Sequence, residues 1–354
     1  MAYLVLGNGS VFEGTRIGAP VDRIGELVFT TGMEGYLETL TDPSYYGQIV
    51  TQTFPLIGNY GVIEEDFEGP STLFGYIVRN LCDTPSNFRS AYPLNDYLVA
   101  RGIPGLCGVD TREIVRITRE EGVMNAMICD EIPSDLSAIR AFRVENAVAS
   151  VSGRDTGVYP AVGSTRCRVA MIDYGAKHNI IRSLQKRGCE VRVWTAFSAA
   201  EEILASDPDG IMLSNGPGDP AENTFCIEQL RKIIGHKPVF GICLGHQLAA
   251  LALGGRTVKL KYGHRGGNQP VRDLSAGRTY ITSQNHGYAV LSDSLKGVGR
   301  ESFRNVNDGS CEGMDYPDKN CFTVQFHPEA ASGPRDTAIL FDRFVQRMEE
   351  MKHA

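Results

Sequence analysis

The sequence predicts an α/β protein. Its C-terminal part reads as a doubly wound, mostly parallel sheet carrying a cysteine nucleophile elbow, preceded by a smaller β-rich α+β domain. Three observations lead there. Beyond about residue 167, short apolar runs alternate with amphipathic helical stretches, the rhythm of βαβ units. Within that rhythm, Gly241-Ile242-Cys243-Leu244-Gly245 joins an apolar strand directly to a helix. Up to about residue 150 the chain is instead rich in glycine and β-forming residues.

In the first domain, residues 1–150, strands are predicted at Ala2–Leu6, Glu26–Thr30 and Gln48–Thr53, separated by turn signals such as Asp42-Pro43-Ser44. Gly7-Asn8-Gly9 has no third glycine and no amphipathic helix after it, so it predicts a hairpin turn and not a dinucleotide loop. Residues 151–166 lie in a stretch of Ser, Gly, Pro and Thr without periodicity and read as a linker to the second domain, 167–354. There the predicted order is strand Arg168–Ile172, helix His178–Arg187, strand Glu190–Trp194, helix Ala199–Ala205 and strand Gly210–Leu213. Helix Thr224–Ile234, strand Pro238–Ile242, helix Leu244–Leu253 and strand Cys321–Phe326 follow. In such sheets the loops beyond the strand C-termini line the site. Asp173-Tyr174-Gly175, Ser214 to Pro220 and Cys243 all fall in those loops.

Composition bounds the function. With 354 residues, 42% hydrophobic and 22% charged, the chain is long enough for two cores. A net charge of -7 and the lack of a Lys/Arg run argue against a nucleic-acid partner. The N-terminal residues do not resemble a signal peptide, and no apolar stretch is long enough to span a bilayer, so a membrane partner is not expected. Nine scattered cysteines without a CxxC pair read neither as a disulfide framework nor as a zinc site. A cytoplasmic protein with reduced thiols, and no metal site, is expected.

The chemistry concentrates on Cys243. A side chain on so sharp a turn adopts strained backbone angles, and the small flanking residues let neighbouring backbone approach. The turn also sets the sulfur at a helix N-terminus, where unpaired N–H groups favour an anion. A thiolate that attacks an amide needs a base, and the base needs an orienting group. His327 and Glu329, just after the strand Cys321–Phe326, suit those roles, while His246 in the elbow helix and His286, read as lying on a loop, are alternatives. Leu244 N–H and the Asn215-Gly216-Pro217-Gly218 backbone are candidate donors for an oxyanion.

Gly241 to Gln247, with Ser214-Asn215-Gly216-Pro217-Gly218-Asp219-Pro220 before it and His327-Pro328-Glu329 after it, resembles the class I (triad) glutamine amidotransferases. Phe29 to Tyr36, Leu40 to Tyr45, Asp110-Thr111-Arg112, Asp173 to Lys177 and Tyr262 to Asn268 are similar to the small, glutamine-hydrolysing chain of carbamoyl-phosphate synthetases. The resemblance runs from Met1 to about Met348. It implies Cys243 as nucleophile, His327 as acid/base and Glu329 as its orienter. It implies glutamine binding by Ser44, Gly216, Gly218, Leu244, Gln247, Asn285, Gly287 and Tyr288, with Ser44 reaching in from the first domain. It further implies ammonia delivery to a large synthetase chain that makes carbamoyl phosphate from bicarbonate for arginine and pyrimidine synthesis. ATP and Mg would sit on that partner, with no cofactor on this chain, which has no Walker-type loop. The competing readings are a glutaminase subunit of another synthetase, a stand-alone cysteine hydrolase on the same fold, and a non-catalytic relative.

Overall fold

The computed structural model describes residues 1–153, 157–330 and 332–353. The chain divides into two compact units, Met1–Ala147 and Val148–Ala354.

The strands of the first unit are β1 (Ala2–Leu6), β2 (Val11–Gly18), β3 (Arg23–Thr30), β4 (Gln48–Gln52), β5 (Leu56–Ile57), β6 (Gly75–Ile77), β7 (Asn80–Leu81), β8 (Pro104–Cys107) and β9 (Met124–Cys129). Seven of them close into a barrel in the order β1-β2-β8-β6-β4-β3-β9, with β9 returning to β1. Successive residues of a strand point to opposite faces, and here both faces are covered. Leu27, Ile49 and Ile77 pack with Ile114 and Ile117 of the helix Thr111–Glu121. Their neighbours Val28, Val50 and Tyr76 pack with Tyr36 and Leu37 of the helix Tyr36–Leu40 and with Leu98 of the helix Leu94–Ala100. Gly7-Asn8-Gly9 makes the expected hairpin, with Gly9 N–H donating to Leu6 O at 2.9 Å and Gly9 at φ 97°. Asp110 caps its helix by accepting from the N–H groups of Arg112 and Glu113.

The second unit holds β10 (Val158–Tyr159), β11 (Cys167–Asp173), β12 (Cys189–Thr195), β13 (Gly210–Leu213), β14 (Val239–Ile242), β15 (Thr257–Asp273), β16 (Thr279–Val290), β17 (Arg300–Asn305), β18 (Cys311–Tyr316) and β19 (Cys321–Val324). They form one sheet in the order β10-β12-β11-β13-β14-β19-β18-β16-β15-β17. The block β12-β11-β13-β14-β19 is parallel. Alternation along β11 sends Ala170 and Ile172 to one face, against Leu230 of the helix Thr224–Ile233 and Leu248 of the helix Leu244–Ala252. Val169 and Met171 go to the other, against Leu184 of the helix His178–Gln185 and Phe341 and Phe344 of the helix Ile339–Lys352. Helices on both faces make the block doubly wound.

Two features differ from expectation. Part of the predicted linker is built into this unit, since Val158 and Tyr159 pair antiparallel with Arg192 and Val191 at the sheet edge. A two-residue strand is too short to leave a periodic trace in sequence. Positions 154–156 of that linker lie outside the described residues. The sheet also extends beyond β19 through four antiparallel strands, β18, β16, β15 and β17. One consequence concerns Gln284 to Tyr288, which belong to the long strand β16 and not to a loop.

Candidate active site

Cys243 sits between β14 and the helix Leu244–Ala252 at φ 52°, ψ -103°. A non-glycine residue at positive φ is strained and persists only when its surroundings hold it. Here Cys243 N–H donates to Val324 O at 2.8 Å and Gly245 N–H to Ser214 O at 3.0 Å. The flanking glycine is required by contact, because a Cβ on Gly245 would stand 2.6 Å from Leu213 Cβ. Gly216 is likewise pressed on Tyr174, whose O would lie 2.3 Å from an added Cβ. Leu244 N–H opens the helix and has no intrahelical acceptor to reach. The Sγ of Cys243 lies 3.6 Å from Asn285 O, on β16.

β19 lies beside β14, so its C-terminal extension comes up next to the elbow. His327 is fixed by its own N–H, which donates to Ser283 O at 2.9 Å. Its Nδ1 lies 2.6 Å from Glu329 Oε1. Both side chains are almost wholly buried. Burial alone would lower the His327 pKa, but the Glu329 carboxylate and the Cys243 sulfur outweigh it and raise it to about 10. Burial pushes Glu329 up, yet Lys177 and His327 win and hold it at about 2. The carboxylate thus favours a proton on His327 and stabilises the imidazolium when it forms.

Lys177 is the residue that sequence reasoning did not single out. Its Nζ lies 3.2 Å from Glu329 Oε1 and donates to Ala330 O at 2.8 Å. Asn179 donates to Glu329 O. Asn215 ties the glycine loop to the same segment, accepting from Lys177 N–H at 2.9 Å and donating to Gly175 O at 3.0 Å. The motif Asp173 to Lys177 was the available signal, but nothing in it announces a carboxylate 152 residues away.

The other expected residues fall as follows. Gln247 spends its Nε2 on Tyr288 O and Gln325 Oε1, both at 2.9 Å, which leaves its Oε1 for a ligand. Asn285, Gly287 and Tyr288 run along β16 past the Cys243 sulfur, and Tyr288 takes part through its backbone carbonyl. Gly218 adopts φ 85° in the loop after β13. Ser44 belongs to the first unit, buried in the turn Pro43–Tyr45 with its N–H donating to Asp42 Oδ1 at 2.9 Å.

The alternative bases are engaged elsewhere. His246 is fully buried with Nδ1 2.7 Å from Thr323 Oγ1, and burial lowers its pKa to about 3. His286 has both ring nitrogens on atoms of its own strand, Tyr288 O and Gln284 Oε1. No helix among the described residues is long and apolar enough to cross a membrane.

Residues 170–347 match the family model "Glutamine amidotransferase class-I", and residues 4–128 match "Carbamoyl-phosphate synthase small chain, CPSase domain". Among relatives, a carbamoyl phosphate synthase small chain of Bacillus cereus is 50% identical over 99% of this chain and 96% of its own. A carbamoyl phosphate synthase pyrimidine-specific small chain of Halalkalibacterium halodurans is 47% identical over 99% and 98%. A small chain from Fusobacterium nucleatum is 47% identical over 98% of each.

Proposed function

This chain belongs to the family of carbamoyl phosphate synthase small chains, the glutamine-hydrolysing subunits of that enzyme, and on this premise we propose that Cys243, His327 and Glu329 form its catalytic triad. The observation that carries the assignment is the juxtaposition of a strained cysteine at a helix N-terminus with a buried imidazole whose far nitrogen is held at 2.6 Å by a carboxylate.

Cys243 Sγ attacks the side-chain amide carbonyl of glutamine while His327 Nε2 takes the thiol proton. The oxyanion that forms is met by Leu244 N–H and by the backbone around Gly216. Collapse of this intermediate breaks the C–N bond, and His327 returns the proton to the leaving group as ammonia. Water then hydrolyses the glutamyl thioester, with His327 as base, giving glutamate and the free thiol. Glu329 stabilises the imidazolium throughout. Glutamine is positioned by Gln247 Oε1 and the backbone of Asn285, Gly287 and Tyr288, with Gly216 and Gly218 completing its binding.

The product ammonia serves a large synthetase chain that holds ATP and Mg and makes carbamoyl phosphate from bicarbonate, in the cytoplasm, for arginine and pyrimidine synthesis. The match of residues 4–128 to the synthase-specific domain supports this over a stand-alone hydrolase. The test is synthesis by the chain reconstituted with its large partner, with glutamine or ammonium as nitrogen donor. Cys243→Ser should abolish the first and leave the second. Equal loss with both donors would make Cys243 structural.

A further inference from the structure

Behind the strand that carries Asn285 and Tyr288 lies a buried cluster that the hydrolytic mechanism does not use: His264 on β15, His286 and Gln284 on β16, and Glu312 on β18. His264 and His286 are paired across β15 and β16. One ligand atom from each of His264, His286 and Glu312 lies within 4.8 Å of the other two.

What these groups present to one another is decided by their outer hydrogen bonds. His264 Nε2 lies 2.8 Å from Asp308 Oδ2, an acceptor, so that nitrogen carries a proton. Its Nδ1 lies 3.3 Å from Glu312 Oε1, so a cation, either a proton or a metal ion, has to stand between them. His286 Nδ1 faces the carbonyl of Tyr288 at 2.8 Å and must donate, so in the neutral ring its Nε2 presents a lone pair. That nitrogen is 3.8 Å from Glu312 Oε1 and 3.1 Å from Gln284 Oε1. The Gln284 amide cannot turn its NH2 inward without loss. Thr282 Oγ1 donates to Gln269 O at 2.9 Å and must therefore accept from Gln284 Nε2, at 3.1 Å.

Three ligand atoms, from His264, His286 and Glu312, consequently converge in a buried space, with the Gln284 carboxamide oxygen 3.1 Å from the His286 nitrogen. Asn305 Nδ2 reaches in, at 3.4 Å from both His264 Nδ1 and Glu312 Oε1, as does Ser310 Oγ, 3.4 Å from Glu312 Oε1 and committed to Asp308 at 2.7 Å. Glu312 Oε2 is buried with no hydrogen-bond partner among the described residues. Acceptors facing acceptors in a low dielectric repel unless a cation stands between them.

We propose that His264 Nδ1, His286 Nε2, Glu312 and Gln284 Oε1 form a structural binding site for one transition-metal dication, with zinc favoured. Two imidazole nitrogens and two oxygens suit a tetrahedral borderline ion, whose donors stand about 3.4 Å apart at usual bond lengths. Three of the six ligand-to-ligand separations, at 3.1, 3.3 and 3.8 Å, bracket that edge. The outer contacts are those of a metal site's surround, a carboxylate on one histidine and a backbone carbonyl on the other. Sequence offers no sign of it, because the ligands come from three strands at positions 264, 284, 286 and 312 in no recognisable spacing.

The test is metal content of the full chain after chelator treatment, loading with zinc and exhaustive dialysis. Wild type should keep about one zinc per chain and Glu312→Gln about a tenth of that or less. Cys243→Ser should keep the wild-type amount, which separates this site from adventitious zinc on the thiol. Anomalous scattering at the zinc edge from wild-type crystals needs no variant and should give a peak between His264 and Glu312. Zinc-free wild type, an unchanged Glu312→Gln, loss in Cys243→Ser, or a peak elsewhere would each overturn the proposal and leave protons as the cations that hold the cluster.

Discussion

His327 touches Glu329 at 2.6 Å through Nδ1, while its Nε2 meets no partner at hydrogen-bond geometry among the described residues. The Cys243 thiol meanwhile leans on Asn285 O at 3.6 Å. The imidazole is therefore oriented before substrate arrives. Loose nucleophile–base contacts of this kind are usual without substrate.

His327→Asn should lower kcat for glutamine hydrolysis by at least ~100-fold, the scale of losing a general acid/base. Glu329→Gln should cost less, because it keeps the base and removes only its orientation and charge. Steady-state glutamate release by the purified protein reads both. A normal kcat in the His327 variant would remove that residue from the mechanism.

The ion pair should also shape stability against pH. Its histidine is raised to about 10, so its contribution is fully present below the unfolded value near 6.5 and is lost as pH climbs toward 10. The carboxylate is depressed to about 2, so its contribution is present above about 4.3 and lost as pH falls toward 2. Thermal unfolding across that range should show a broad plateau with both flanks. Glu329→Gln should flatten both flanks, and identical profiles would contradict the pairing.

Gly245→Ala tests the elbow's geometry without touching its chemistry. The new methyl would overlap Leu213 Cβ and O, each 2.6 Å away, so backbone must move. Overpacking of this kind typically costs ~1–3 kcal/mol. The variant should lose stability and glutaminase activity together, as read by denaturant unfolding and glutamate release.

Glutamate release by the chain alone should be slow and should rise when the large partner turns over ATP and bicarbonate, since uncoupled hydrolysis wastes glutamine. Small shifts of positioning groups change transition-state contacts steeply. Three rates agreeing within about twofold, for the chain alone, with partner, and with partner plus substrates, would reject coupling.

The legible parts of this protein are those whose signal is local. Cys243 announces itself because its two glycines are neighbours in sequence, and His327 and Glu329 because they stand two residues apart. Lys177 was hidden, since its partner is remote. The barrel's closure was hidden too, because it depends on β1 meeting β9 from the far side of the unit. The antiparallel strands β15 to β18 left little periodic trace: β15 and β16 carry register shifts, and β18 is buried along its whole length. Asn285 to Tyr288 were therefore read as a loop.

Closure leaves the barrel of the first unit without a bare strand edge, and in the second unit β17 is paired on both sides, with β15 and β18, so its open edge lies at β10 and β12. There, among the described residues, Gly157, Val158 and Tyr159 cover the backbone of β12. Short edge strands are a common protection against strand-to-strand aggregation. A fragment begun at Cys167 would uncover the β12 edge and should self-associate, while one begun at Val148 retains its cover. Proteolytic clipping ahead of residue 167 would then act as a solubility switch, long before it affected the triad.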